Sequence, residues 1–127
     1  MSDKTIQLNP KEEAAFDRIF RAIVQVESGG NLKAVGDNGK AIGPAQIHMA
    51  YVRDAQDVDP GITPDMRWTL EGSKRIMRAY MIRHKVPLTN VEMVARVHNG
   101  GPQGHLKPAT LVYWKKVKSA LNALNKP

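Results

Sequence analysis

Cysteine is absent from this 127-residue chain, so neither a disulfide nor a thiolate-held metal is possible. Histidine is sparse. The four residues are scattered, with no i, i+4 pair among them, so no zinc site is expected, nor any other metal or cofactor. Long apolar runs are missing too. No stretch approaches the roughly 20 residues of a membrane-spanning helix, which argues against integral membrane association. Met1 to Pro10 is polar and lacks the apolar centre of a signal peptide, so any export is expected to take another route. Acidic residues are outnumbered, 12 against 19 Lys and Arg, for a net charge of +7. Such a balance favours polyanions: nucleic acid, anionic membrane surfaces or bacterial cell wall. Much of it sits in Lys74, Arg75, Arg78, Arg83 and Lys85, and in Lys115, Lys116 and Lys118. The ordinary explanation of such clusters is a pair of solvated helix faces.

What is present is a core. Apolar residues make up 42% of the chain, enough for one domain of this length. Residues 1–8 read as a flexible lead-in and residues 9–127 as a single domain. Asn9-Pro10-Lys11-Glu12 is a helix start, with a capping Asn, Pro at the first position and Glu at the third. That helix runs to about Glu27 and stops at Ser28-Gly29-Gly30. Turn chemistry over residues 33–42 predicts a small hairpin. Pro44 is expected to open a second helix reaching about Asp54. A third helix follows Asp65 or Thr69, with Leu70, Met77, Tyr80, Met81 and His84 inward, and Pro87 ends it. Thr89-Asn90-Val91-Glu92 starts a short fourth helix that breaks at Asn99-Gly100-Gly101. A fifth begins near Thr110, with Trp114, Val117, Leu121 and Leu124 inward. The fold class is mainly α: about five helices, with a small β-hairpin between the first two.

Two carboxylates stand out. Phe16, Phe20, Ile23 and Glu27 recur at intervals of four, three and four, so Glu27 continues an apolar stripe. A carboxyl in such a setting resists ionisation and suits a general acid near neutral pH. Its place at a helix C-terminus, the unfavourable end of the macrodipole, also points to function. Asp37 lies in Gly-Asp-Asn-Gly, a turn open to water, where a carboxylate stays ionised. Paired carboxylates in contrasting environments are the pattern of glycoside hydrolysis. Taken singly, each has an ordinary explanation, a solvated helix end and a turn former. Gln46, after Gly43-Pro44-Ala45, either holds a sugar group or ties down the hairpin. His98 is either a satisfied core histidine or part of a ligand site. Asn99, Gly100 and Gly101 either cap a helix or offer backbone groups to a ligand. Of the aromatic residues, Tyr51 is kept as a candidate for stacking on a sugar.

Glu27-Ser28-Gly29, Asp37, Gly43-Pro44-Ala45-Gln46-Ile47 and Ala50-Tyr51 together resemble the active-site half of invertebrate-type (i-type) lysozymes. Ala95-Arg96-Val97-His98-Asn99-Gly100-Gly101-Pro102-Gln103-Gly104 is similar to that family's C-terminal signature, and Pro108-Ala109-Thr110 and Tyr113-Trp114-Lys115-Lys116-Val117 extend it. The likeness covers roughly Ile19 to Lys118. It implies a lysozyme-like fold and hydrolysis of the β-1,4 bond between N-acetylmuramic acid and N-acetylglucosamine. By the same resemblance Glu27 is the general acid and Asp37 the nucleophile or electrostatic stabiliser. Gln46, Ile47, Tyr51, His98, Asn99, Gly100 and Gly101 are the expected substrate contacts. The animal members are rich in disulfides and this chain has none, which implies a bacterial or phage member in which packing replaces the cross-links. An isopeptidase activity known in the family uses a serine after the Asp loop. Here Lys40 follows Gly39, so that activity is not carried over.

Peptidoglycan is thus the expected partner, and a monomer the expected state. Delivery without a signal peptide fits a phage-released endolysin, a virion-borne lysin or non-classical export. One rival is a lytic transglycosylase, which needs Glu27 alone because the sugar's own 6-hydroxyl attacks. The other is a non-catalytic module binding cell wall or nucleic acid. No nucleic-acid partner is expected: the aromatics fall on core faces instead of interleaving with basic residues.

Overall fold

The computed structural model describes residues 7–126, so the expected lead-in over residues 1–8 lies mostly outside the described residues. Leu8, at its end, already packs against the core. Helix α1 spans Pro10–Ser28. Its start is a capping box: the Asn9 side chain accepts from the Glu12 N–H at 2.8 Å, and Glu12 Oε1 accepts from the Asn9 N–H at 3.0 Å. Gly29 ends it in the left-handed region, φ 65°, donating its N–H to the Gln25 carbonyl.

Strands β1 (Val35–Gly36) and β2 (Ala41–Ile42) form the hairpin, antiparallel, with Val35 opposite Ile42 and Gly36 opposite Ala41. Asp37, Asn38 and Gly39 between them all have positive φ, which these residue types tolerate best. The helix expected to open at Pro44 does not form there. Gly43 (φ 82°) and Gln46 (φ 54°) fold residues 43–46 into a tight turn, and Ile47 returns to bridge Ile42. Helix α2 begins only at Met49 and runs Met49–Gln56.

A 3₁₀ turn over Pro64–Trp68 leads into α3, Leu70–Arg83, capped by Thr69. Helix α4 spans Val91–Gly100 under an Asn90 cap. A second 3₁₀ turn, Gly104–Leu106, precedes α5, Thr110–Leu124. Helix α1 packs against α5 and α4, α4 against α5, and α2 against α3. Their inner faces share one core built around Phe16, Ile19, Ile23, Ile47, Val52, Met77, Met81, Val94 and Val117. Leu70 and Leu124, expected inward, are instead 46% and 42% exposed. Both lie in end turns of their helices and line a surface groove with Phe20, Val24 and Ala120. No helix among the described residues is long and apolar enough to cross a membrane.

The basic cluster on α3 is largely matched by acids. Lys74 meets Asp17 and Arg78 meets Glu13, which pin α3 to α1; Arg75 meets Asp59 and Arg83 meets Asp57. Lys115, Lys116 and Lys118 are exposed along α5.

Candidate active site

Glu27 stands in the last turn of α1, on the same face as Phe16, Phe20 and Ile23, which are all buried. Its side chain is 20% exposed, so the carboxyl sits at the lip of the core. Asp37, at the hairpin tip, is 60% exposed, as a turn open to water requires. Together they line one cleft of about 300 Å³ with Ala41, Gln46, His48, His98 and Asn99. Two carboxylates in contrasting settings thus face a common space.

The turn at residues 43–46 forms one side of this cleft and is held from three directions. From α1, the Ser28 hydroxyl donates to the Pro44 carbonyl at 2.8 Å. From α4, His98 Nε2 donates to the Ala45 carbonyl at 2.9 Å. Arg67 reaches the Ile47 carbonyl at 3.2 Å. Gly43 is required here on two counts: its φ is positive, and a Cβ would strike the Arg67 carbonyl. Gln46 turns its amide inward and donates to the Ala41 and Gly43 carbonyls, so it ties the hairpin to the turn while lining the cleft.

His98 is the buried pivot of the site. Its side chain is only 2% exposed, and burial pushes its imidazole below the ordinary histidine value, against the pull of Glu27 and the Ala45 bond. A carbonyl can only accept, so Nε2 carries the hydrogen toward Ala45, and Nδ1 accepts from the Tyr51 hydroxyl at 2.8 Å. His98 Nε2 lies 3.6 Å from Glu27 Oε2, but the ring is neutral and its proton is committed elsewhere. The approach is therefore not an ion pair.

Tyr51 is 9% exposed and stacks on Tyr80, with ring centroids 3.6 Å apart and planes 9° off parallel. Burial, then Tyr80, then Glu27 raise its hydroxyl well above the ordinary tyrosine value, so it stays a donor. Tyr80 covers one face of the ring, which is closed to the sugar stacking expected of it, and the hydroxyl is engaged by His98. Ile47 is fully buried and has no side-chain surface for a ligand. Asn99 is exposed and lines the cleft; Gly100 and Gly101 are not among its lining residues. Gly100 ends α4, where its carbonyl accepts from Lys107 Nζ and a Cβ would meet Thr110. Gly101 (φ 88°, ψ −172°) occupies a region open essentially to glycine and donates its N–H to the Val97 carbonyl. The pair of glycines is thus explained by the end of α4 and its packing on α5.

Two residues missed in the sequence complete the constellation. The Tyr113 hydroxyl, from α5, donates to Glu27 Oε2 at 2.8 Å. His48 Nε2 lies 3.0 Å from Asp37 Oδ2. The helical spacing of Tyr113 marked it as a core aromatic and gave no sign of its partner, 86 residues away. His48 belongs to no periodic pattern. Its one available signal was adjacency to Gln46-Ile47.

No family model matches the chain. Among curated proteins, it is 46% identical over 54 residues to a lysozyme of Ostrea edulis, covering 40% of this chain and 39% of that protein. With a lysozyme of Magallana gigas it shares 51% identity over 45 residues, 32% of each. With lysozyme 1 of Crassostrea virginica it shares 34% over 112 residues, 79% of this chain and 56% of the relative. The matches thus span from about a third to just over half the length of these curated relatives. Among solved structures, an inhibitor-bound lysozyme from Meretrix lusoria superposes with a TM-score of 0.69 at 30% identity, covering 80% of this chain and 87% of that one. With the greater part of a known lysozyme matched in both sequence and fold, this cysteine-free chain belongs to the lysozyme family.

Proposed function

We propose that this protein is a muramidase of the invertebrate type, hydrolysing the β-1,4 bond between N-acetylmuramic acid and N-acetylglucosamine in peptidoglycan. The observation that carries the reading is the shared cleft: a half-enclosed glutamate and a solvent-facing aspartate address the same space. Glu27, protonated, gives its proton to the glycosidic oxygen as the C–O bond breaks, and the N-acetylglucosamine side departs with a hydroxyl. Positive charge develops on the muramic ring, and Asp37 stabilises it by its charge or by bonding to the anomeric carbon. Water then adds at that carbon, and the Glu27 carboxylate takes the water's proton. His48 holds Asp37 through this sequence, and the neutral His98 adds no positive charge beside Glu27. Freedom from cysteine supports a bacterial or phage member of the group.

The test is paired. Glu27→Gln is expected to keep the fold and lower turnover on cell walls by at least about a hundredfold, the scale of losing an acid–base group. Asp37→Asn is expected to lower it as well, with products that keep ordinary reducing ends. Near wild-type lysis by folded Glu27→Gln refutes the assignment. Mass analysis showing 1,6-anhydro ends, with full activity in Asp37→Asn, identifies a lytic transglycosylase instead.

A further inference from the structure

We infer that Tyr113 is a positioning residue that fixes which oxygen of Glu27 delivers the catalytic proton. The inference rests on the general-acid role proposed for Glu27. Its basis is an asymmetry in the carboxyl's surroundings. The Tyr113 hydroxyl donates to Oε2 at 2.8 Å, and the nearest ring nitrogen, His98 Nε2, also lies on the Oε2 side, at 3.6 Å. Among the described residues no hydrogen bond or ion pair reaches Oε1.

The direction of the Tyr113 bond is fixed by chemistry. Burial foremost, then the charge of Glu27 and the bond itself, raise the phenol far above the ordinary tyrosine value. It keeps its hydrogen at every working pH and donates it. An Oε2 that already accepts the Tyr113 hydrogen is a poor seat for the acidic proton. That proton therefore sits on Oε1, the oxygen without a protein partner. After transfer, the new carboxylate keeps one strong hydrogen bond on Oε2, while Oε1 is free to accept from the incoming water. The hydroxyl also stops the carboxyl from flipping, so the acid is held in one orientation before substrate arrives. The anchor comes from α5 and the acid from α1, the two helices whose packing forms much of the fold.

The experiment compares leaving groups. A sugar alkoxide is a poor leaving group and needs the acid; a 2,4-dinitrophenolate departs without it. Wild type, Tyr113→Phe and Glu27→Gln are assayed on soluble peptide-free glycan strands and on a 2,4-dinitrophenyl β-glycoside of an N-acetylglucosamine oligomer. Tyr113→Phe is expected to lower kcat on glycan about tenfold to a hundredfold, the scale of a lost hydrogen bond to a charged group, with KM unchanged. On the dinitrophenyl substrate its kcat/KM, which reports bond cleavage and not the later attack of water, should stay close to wild type. Equal losses in kcat/KM on both substrates, or a change in KM alone, would show a structural role and overturn the inference. A fluorinated tyrosine placed at position 113 keeps the ring and the donor, and should retain wild-type kcat on glycan; a loss matching Tyr113→Phe overturns it too. If Glu27→Gln itself loses kcat/KM equally on both substrates, the general-acid reading fails, and this inference with it.

Discussion

Replacing His98 separates its packing, its hydrogen bonds and its titration. The ring donates to Ala45, a fully buried residue, and accepts from Tyr51, itself 9% exposed. His98→Phe keeps a ring of similar size and strands both partners. Each buried group left without a partner costs about 1–3 kcal/mol, so the pair sets a loss of roughly 2–6 kcal/mol. Against a total stability of about 5–15 kcal/mol this is large, and at roughly 3–5 °C per kcal/mol it lowers the melting temperature by about 6–30 °C. His98→Gln can offer one amide hydrogen to Ala45 and one carbonyl oxygen to Tyr51, so its loss should be near 1 kcal/mol. The glutamine does not titrate, and that gives the second readout. Burial lowers the folded-state value of His98 below the ordinary value of about 6.5 that holds in the unfolded chain. Below about pH 6.5 the unfolded chain therefore takes up a proton that the folded chain refuses. Stability from this residue is complete above that pH and declines as pH falls toward the folded-state value, at up to about 1.4 kcal/mol per pH unit. Urea unfolding of wild type and His98→Gln from pH 8 to 5 should give a constant difference above pH 6.5 and a narrowing one below. Parallel curves through the acid range, or a His98→Phe protein as stable as wild type, would refute the reasoning.

Gly43→Ala should destabilise the protein by about 2 kcal/mol or more, because the new Cβ meets the Arg67 carbonyl at a backbone φ of 82°. Gly29→Ala, also at positive φ but with open space around it, should lose less; denaturant midpoints of the two variants check the order. Lysis of whole walls should slow as salt rises, since the exposed Lys115, Lys116 and Lys118 act through a field screened within about 8 Å at physiological ionic strength. Cleavage of a short neutral oligosaccharide should change little over the same range.

Local signals made most of the helices legible. The Asn9 and Asn90 caps, the Gly29 stop and the run of turn formers at Asp37-Asn38-Gly39 are each decided within a few residues. The stripe that placed Glu27 against the core was likewise visible, and the contrast with Asp37 followed from it. Pro44 misled because its helix-opening tendency was weighed without its neighbours. Gly43 and Gln46 both take positive φ, a choice fixed by Ser28, His98 and Arg67 reaching in from elsewhere. Leu70 and Leu124 fit helical periods yet fall where helices run out of partners, which a period alone does not register. The basic residues of α3 read as a solvated face, but their acidic partners stand on α1 and in the loop after α2. In the site, the carboxylates were readable because each is defined by its local setting. Tyr113, His48 and the Tyr51–His98 relay were not, because each is defined by a contact across the fold.

The bond between Tyr113 and Glu27 closes a loop of 86 residues, and that between His98 and Ala45 one of 53. Contacts of such range form late, because the chain entropy of closing them must be met before they add stability. During synthesis the acid-bearing helix and the hairpin leave the ribosome long before α4 and α5. A nascent chain that has exposed both carboxylates still lacks the imidazole that bonds the 43–46 turn and the phenol that bonds Glu27. On the mechanism proposed for Glu27, chemical competence would arrive with the last helix, and the appearance of cleavage activity during refolding would serve as a clock for the docking of α5.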